Sequence, residues 1–376
     1  MAINENVLPI SDVKIGIKGE ATFGVGIDSS GADGTAYRQL PVIQASKPTF
    51  NITRESRLLS GRGTIKNAAD TIINTKGGTV TTPFEMVATP KLLVQHLVLV
   101  GQEYTTSGGG GSEVYEIQFD GSSNKTSVGG SISGALPHSV NLAYYPGAGE
   151  GIKVTGNVVS DLALAWDYGT NGGNLTMSGN YFSGFSKTET TASCLEQTFD
   201  GTWTAPETSY YNIGGIITKQ LECEDSASVD LVLKSFNLNI ANGVNRVGFN
   251  ANGNAEAYAL PEYVITGDIT IKYDANFDYG SGANVINDFL EGDTLTLALK
   301  SGDGTVSSAG EMNILLEIQY TGDPAQDISE NGIFHTLSFE AVQNTTTEAC
   351  KITIFSAEDE SVWYNKIKRG QHEFNV

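Results

Sequence analysis

Apolar and polar residues alternate along much of this chain, and the clearest stretch runs from Gly78 to Met86. A period of two residues is typical of a half-buried strand. Thr89 and Pro90 then open an apolar run that ends at Gly101. A capping threonine, a proline at the first helical position and a closing glycine are helix boundary signals. The stretch therefore predicts a strand followed directly by a short helix.

The same pattern returns in the second half of the chain, where Gly267 leads an alternating strand as Gly78 does in the first, and Gly292 closes an apolar run over 283–290. Upstream, Phe50 in the segment Pro-Thr-Phe-Asn-Ile is echoed by Phe236 in Lys-Ser-Phe-Asn-Leu, at nearly the same separation along the chain. A pattern that recurs at one separation indicates an internal repeat. We therefore expect two copies of one β-rich unit, each with one helix.

The rest of the chain reads as an all-β protein, because short alternating runs are separated by Gly, Asn and Asp and the chain holds 44 glycines. Further strands are predicted at 49–52, 113–119, 139–145, 153–159, 162–166, 174–182, 228–240, 263–274, 294–299, 312–320, 333–342 and 351–355. The predicted organisation is an N-terminal arm (1–47), a first unit (48–185) with a Gly/Ser-rich insertion (103–150), a connector (186–227), a second unit (228–345) and a C-terminal segment (346–376).

The charge is strongly acidic, with 43 Asp and Glu against 22 Lys and Arg and a net charge of −21. This balance disfavours specific nucleic-acid binding, since affinity for phosphates comes from Lys and Arg. Four cations nevertheless cluster on one polar excursion after the strand at 49–52, and they are either a solvated loop or a contact with an acidic surface of another copy. These residues are Arg54, Arg57, Arg62 and Lys66.

Composition argues against membrane and secretory classes. The chain has no apolar run near the roughly 20 residues of a spanning helix, and residues 1–5 lack the features of a signal peptide. We therefore expect folding in a cytosol. The three cysteines, Cys194, Cys223 and Cys350, form no CxxC pair and are interpreted as buried free thiols.

Candidate catalytic chemistry is sparse. The four histidines make no metal-ligand spacing, and His96 is interpreted as a packing residue of the predicted helix. The chain contains no phosphate-binding glycine loop and no nucleophile elbow. A partial calcium pattern at Asp274 lacks its glycine and its closing glutamate, because Tyr279 and Val285 occupy those positions. We expect no enzymatic activity, no cofactor and no metal.

The order of features resembles the major tail tube proteins of long-tailed bacteriophages. It consists of a Gly-rich arm with Leu-Pro-Val at 40–42, a strand, a long excursion, a Gly-led strand, a short helix, and later strands ending in Phe-Glu-Ala at 339–341. The resemblance covers roughly residues 15–345. It implies a β-sandwich or barrel with a flanking helix in each unit, in rings that stack into a tube through which viral DNA passes. Two units per chain depart from the single-unit members and suggest a trimer that mimics a hexamer; a hexameric ring is the alternative.

The resemblance also implies partners and a location: other copies of the chain, the tape measure, tail tip and tail terminator proteins, and transiently passing DNA, in a virion tail assembled in the host cytoplasm. No membrane is involved. The four-cation excursion is then expected to contact the adjacent ring. A surface or fimbria-like β-sandwich subunit is the main alternative, and a glycosidase on a β scaffold is a further one.

Strand alternation predicts which side chains would line the tube, because one face of each strand is buried and the other is free. The expected lumen-facing residues are Glu85, Asp161, Asp167, Asp268, Thr270, Asp274, Glu317, Gln319, Thr336, Ser338 and Glu340, with Thr176, Ser178, Asn180 and Lys272 on the same faces. The alternative is that these faces meet solvent outside the tube.

Overall fold

The structure is a computed structural model. It describes residues 13–19, 37–43, 46–51, 54–56, 71–73, 78–100, 104–108, 113–119, 139–147, 151–184, 188–189, 199–200, 211–222, 228–248, 255, 257–259, 263–272, 292–301, 306, 311–329, 332–343 and 349–356.

The described residues form 24 strands and one α-helix, α1 (Pro90–Leu99), so the all-β prediction is confirmed. The strands of the first half are β1 (Lys14–Gly19), β2 (Tyr37–Gln39), β3 (Thr49–Asn51), β4 (Arg54–Ser56), β5 (Thr71–Ile73), β6 (Thr79–Val87), β7 (Tyr104–Gly108), β8 (Glu113–Phe119), β9 (Val140–Tyr145), β10 (Ile152–Asp167), β11 (Thr176–Ser183), β12 (Thr188–Glu189) and β13 (Phe199–Asp200). Those of the second half are β14 (Ile216–Glu222), β15 (Ser228–Asp230), β16 (Leu233–Ala241), β17 (Asn245–Val247), β18 (Ala257–Ala259), β19 (Val264–Lys272), β20 (Leu295–Ser301), β21 (Met312–Tyr320), β22 (Ala325–Ser329), β23 (Gly332–Ala341) and β24 (Cys350–Ser356).

Most predicted strands agree with the structure to within a few residues, and β8 and β21 have the predicted bounds. The two strands predicted at 153–159 and 162–166 are instead one 16-residue strand, β10, whose register with β11 shifts between Val159 and Asp161. Eleven strands were not predicted, because their short runs lie in segments interpreted as arm, insertion, connector or loop. They are β1, β2, β4, β5, β7, β12, β13, β14, β17, β18 and β22. The helix predicted over 283–290 lies outside the described residues.

Twenty of the strands belong to one hydrogen-bonded system. Nineteen pairings connect them, one fewer than a closed ring would need, so the described system is a branched sheet. One section runs in the order β3, β6, β11, β10, β16, β19, β23 and β22, all antiparallel. A second section runs β7, β8, β24, β21, β20, β14 and β15. Strand β21 joins the two sections, because its last residues also pair with β23.

Helix α1 lies in the core of this sheet. Nine of its ten residues are buried, and it contacts β10 of the first section and β8 and β24 of the second. The resemblance implied a flanking helix, but the sequence of α1 has no polar face, since Lys91 is its one charged residue among apolar neighbours. A helix that is apolar all round is expected to be buried.

His96 of α1 is fully buried, which agrees with its interpretation as a packing residue. Its Nδ1 lies 2.7 Å from the Leu92 carbonyl oxygen, and its Nε2 lies 2.7 Å from the Tyr181 hydroxyl of β11. A carbonyl only accepts, so Nδ1 carries the proton and Nε2 accepts from Tyr181. Burial lowers the pKa of His96 to about 4, opposed by the hydrogen bond to Leu92. The ring is therefore neutral at pH 7.

The C-terminal end of α1 is bound by residues from the second half of the chain. The Val100 carbonyl accepts hydrogen bonds from Asn242 Nδ2 at 3.0 Å and from the Tyr263 hydroxyl at 2.8 Å. Asn242 also donates to the Val159 carbonyl of β10 and accepts from the Val244 amide. One buried asparagine thus links the helix, β10 and the start of the segment that connects β16 to β19.

The predicted buried residues of β19 and β21 lie in the core, with Tyr320 only partly buried. Ile333 is a correction: alternation with Thr336, Ser338 and Glu340 predicts that it is buried, but it is 38% exposed. The β22–β23 hairpin extends beyond the end of the core, so Leu337 is covered and Ile333 is not. Cys350 is a buried free thiol, as predicted, and burial raises its pKa; Cys194 and Cys223 lie outside the described residues. No helix in the described ranges is long and apolar enough to span a membrane.

The buried histidine predicts acid sensitivity. The pKa of His96 is about 4 in the folded state, against an ordinary value of 6.5, so the unfolded chain takes up the proton first as the pH falls. We expect this residue to remove about 3 kcal/mol of stability between pH 6.5 and pH 4. Urea unfolding across that range should show a steeper loss for the natural chain than for a His96→Gln variant. Equal pH dependence in the two proteins would contradict this role.

Candidate functional surface

The outward side chains of the first sheet section form one extended surface, which we term the polar face. It comprises the side chains of β6, β11, β10, β16, β19, β23 and the end of β21 that point away from the core. Its central row follows the strand register across seven strands, a width of about 29 Å at the usual strand spacing. The row contains Glu85, Ser178, Ala163, Asn239, Thr266, Glu340 and Gln319.

Neighbouring rows have the same character. One row runs Thr176, Ala165, Asn237, Asp268 and Ser338, and the next runs Asp167, Ser235, Thr270 and Thr336. On the other side of the central row, Asn180 pairs with Asp161. Small and polar residues alternate here with buried ones because each strand has a core-facing apolar set, so the face follows from period-two patterning on six neighbouring strands.

The structure therefore brings ten of the eleven expected lumen-facing residues onto one face of one sheet. They are Glu85, Asp161, Asp167, Asp268, Thr270, Glu317, Gln319, Thr336, Ser338 and Glu340. Asp274 lies outside the described residues, as do Arg57, Arg62 and Lys66 of the basic excursion. The backbone of Arg54 lies in β4, which pairs with β5 as a separate two-stranded ribbon.

Hydroxyl and amide groups hold several carboxylates of the polar face. Asp161 accepts from Ser160 Oγ at 2.8 Å and from Asn180 Nδ2 at 3.0 and 3.1 Å. Ser338 Oγ donates to Asp268 at 2.5 Å. Similarly, Thr296 Oγ1 donates to Glu317 at 3.0 Å. These hydrogen bonds fix the positions of the carboxylate oxygens on the polar face.

Two lysines lie at one end of the polar face. Lys272 pairs in register with Phe334, and Phe334 pairs with Asp327. The Lys234 ammonium lies 4.5 Å from the centroid of the Phe334 ring and 3.9 Å from Asp327 Oδ2. Both side chains of this ion pair are about half exposed, so it contributes little stability. The cations of the face are thus placed at its margin and not among the central carboxylates.

A depression of about 320 Å³ opens on the polar face between β6, β10 and β11. Its lining includes the Glu85 and Asp161 carboxylates with Ser178 and Asn180, and none of the described residues that line it is a lysine or arginine. Such a lining does not suit a phosphate, which is bound by cations and N–H donors. The described residues also contain no group of three or more His, Cys, Asp or Glu arranged to hold a metal ion.

Two glycines let neighbouring strands approach beneath the polar face. A Cβ on Gly179 of β11 would fall on the Asp161 carbonyl oxygen and lie 3.0 Å from the Phe84 ring of β6. A Cβ on Gly267 of β19 would likewise meet the Asn237 carbonyl and the Phe339 ring of β23. In both places an aromatic ring from the next strand covers the glycine. The positions of Ser178, Asn180, Thr266 and Asp268 depend on these two contacts.

Sequence reasoning missed the outward residues of β16, namely Ser235, Asn237 and Asn239, as well as Thr266 of β19. Their signal was present, because Phe236, Leu238 and Ile240 alternate with them. Lys234 had no such signal, since the register of β16 with β19 shifts between Leu233 and Ser235.

Comparison of the chain with protein-family models gives no matching family, and comparison with curated proteins gives no matching relative.

The covered glycines predict a position-specific stability loss. Gly179→Ala and Gly267→Ala should each lower the free energy of unfolding by about 1–3 kcal/mol or more, because the new methyl group meets backbone and a packed ring. Gly322→Ala is the matched control, since a Cβ there has open space, and its effect should stay within about 0.5 kcal/mol. Urea denaturation of the three variants measures this. Equal stabilities would show that the strands separate without cost.

Proposed function

We propose that this chain is a structural virion protein that polymerises into stacked rings, forming the tail tube of a long-tailed bacteriophage. In this proposal the polar face lines the conduit through which DNA leaves the virion. The observation that carries the proposal is the continuous polar face itself, because ten residues expected to line a lumen share one side of one sheet.

The electrostatics of the polar face suit a conduit. Non-specific affinity for DNA comes from cations that neutralise phosphates and release counterions. The face instead presents Glu85, Asp161, Asp268 and Glu340 across its centre, and its lysines lie at one end. A surface of fixed carboxylates and hydroxyl groups repels the passing polymer and offers it no strong contact.

Register supports the proposed duplication of the unit. Phe50 of β3 pairs with Val80 of β6, and Phe236 of β16 pairs with Ile269 of β19. The two pairs occupy equivalent positions in the repeat predicted from the sequence. Each excursion between the paired strands also contains a two-stranded ribbon, β4–β5 in the first half and β17–β18 in the second. Two equivalent strand pairs per chain favour a trimeric ring with six quasi-equivalent units over a hexameric ring.

The margins of the sheet section suit ring formation. Among the described pairings, β3 pairs only with β6 and β22 pairs only with β23, so the section has two unpaired edges. Exposed edges invite pairing with another chain. Because the two edges differ, contacts between them are head-to-tail and close into a ring when the rotation allows.

The proposal carries the partners and location implied by the resemblance: a tape measure protein, tail tip and tail terminator proteins, transiently passing DNA, and a virion tail assembled in the host cytoplasm. It requires no enzyme activity, cofactor or membrane.

The ring is the first test. Purified protein should give rings of three chains with pseudo-sixfold symmetry, and long hollow tubes at higher concentration. Native mass spectrometry and negative-stain microscopy measure both. A hexameric ring would overturn the duplication but keep the tube. Monomers, or fibres without a lumen, would overturn the tube and favour a fimbria-like or surface subunit.

Charge reversal tests the lining. Glu340→Lys, alone and with Glu317→Lys, should leave tubes assembled but make them retain duplex DNA at about 50 mM salt and release it by about 200 mM. Asp230→Lys is the control, because this exposed residue ends β15 at the far edge of the second section. Cosedimentation of tubes with DNA separates the variants. Equal DNA retention by the Asp230→Lys tubes would place the polar face outside the lumen.

A further inference from the structure

We propose that one end of the first sheet section is the surface on which the next ring stacks, and that its occupant is the opposite end of a second copy of this chain. The surface, which we term the apolar end, consists of Tyr168, Val232, Ile328 and Ile333. These side chains are 60%, 56%, 72% and 38% exposed. The inference rests on the proposed tube and adds the contact that lengthens it.

The four residues lie at the same end of five consecutive strands. The Tyr168 amide, just after β10, donates to the Lys234 carbonyl of β16 at 3.3 Å. Val232, just before β16, accepts from the Lys272 amide at the end of β19 at 2.9 Å. Ile333 of β23 pairs with Ile328 of β22. At the usual strand spacing the apolar end therefore spans about 19 Å.

This clustering is unusual for solvent-exposed residues. Single exposed apolar side chains are normal, but a contiguous group marks an interaction surface. The structure has seven exposed large hydrophobic side chains in its described ranges, and four of them are at the apolar end.

The opposite end of the same strands supplies a matching surface. Both excursions leave from it, because Asn51 pairs with Thr79 at the start of β6 and Ala241 pairs with Val264 at the start of β19. Val264 and Val247 of β17 are exposed there, at 47% and 48%. Arg246 precedes Val247, and the first excursion carries Arg54.

Charge is consistent with this contact but does not dominate it. Asp167 and Asp327 flank the apolar end and can accept hydrogen bonds from the arginines of the next ring. Lys234 and Lys272 lie at the same end and repel those arginines. Burial of apolar surface therefore supplies most of the affinity. Because the two surfaces differ and lie at opposite ends of one molecule, each contact leaves a free surface at either side. Such a head-to-tail contact does not close and produces a filament.

The first experiment changes the apolar end alone. Val232→Asp should raise the critical concentration for tube formation at least about tenfold, since it replaces a buried apolar contact with a charge, and Val232 lies away from the two sheet edges proposed to close the ring. Ring formation, followed by native mass spectrometry, should stay unchanged. Val232→Ile is the matched control and should polymerise like the natural chain, and Val232→Thr provides a neutral substitution if the aspartate variant does not fold. Normal tubes from the aspartate or threonine variant would overturn the stacking surface and leave the proposed tube intact.

The second experiment tests the direction of the contact. Val247→Asp should also block tubes, but it leaves the apolar end intact. Mixing Val247→Asp rings with Val232→Asp rings restores one good contact, so microscopy should show pairs of rings and no polymer of three or more rings. Ring pairs formed by the Val247→Asp protein alone would show that two apolar ends meet each other, which contradicts the head-to-tail contact. Failure of the natural chain to form rings would instead overturn the proposed function.

Discussion

A helix that is buried on every side needs partners inside the protein for its polar groups, and this need shapes much of the molecule, although the buried Gln95 Oε1 of α1 has no hydrogen-bond partner among the described residues. Helix α1 has its last carbonyls and one histidine in an apolar core. An unsatisfied buried group would cost about 1–3 kcal/mol. Tyr181 supplies the donor for His96, while Asn242 and Tyr263 supply donors for Val100. The helix comes from the first half of the chain and two of its partners come from the second.

The halves are also joined through the sheet. Strand β10 pairs with β16 over seven residue pairs, from Asp161 with Ala241 to Asp167 with Ser235. Without this pairing the outward faces of β11 and β19 would belong to separate sheets. The same pairing places core residues of both halves in one cluster that extends from Ile15 to Ile354. The two proposed units therefore share a core and are not independent domains.

The polar face combines negative charge with local order. Serine and asparagine side chains of the same sheet donate hydrogen bonds to Asp161 and Asp268. These neutral donors give the carboxylate oxygens defined positions. Ion pairing would have placed lysine or arginine among the central rows. In the proposed tube, this arrangement keeps the wall acidic, while the Asp161 and Asp268 carboxylates also link neighbouring strands.

Local pattern was enough to predict much of this structure. The start of α1 followed from Thr89 and Pro90, and the core-facing residues of β19 and β21 followed from alternation, because these features depend on backbone geometry and on nearest neighbours along the chain. The same reasoning predicted most residues of the polar face. It also predicted that His96 packs in the core, since a helix of mostly apolar residues is expected to be buried away from solvent.

Long-range contacts decided the rest. Strand β24 pairs with β8 although most of the chain lies between them, and Asn242 binds the end of a helix from the other half of the molecule. Neither pairing can be predicted from the local sequence. An edge strand can pair with any suitable edge, and an asparagine at this position is also compatible with an ordinary turn. Ile333 shows the same limit. Its alternation predicted burial, but burial also requires an opposing layer, and only the tertiary structure determines where that layer ends.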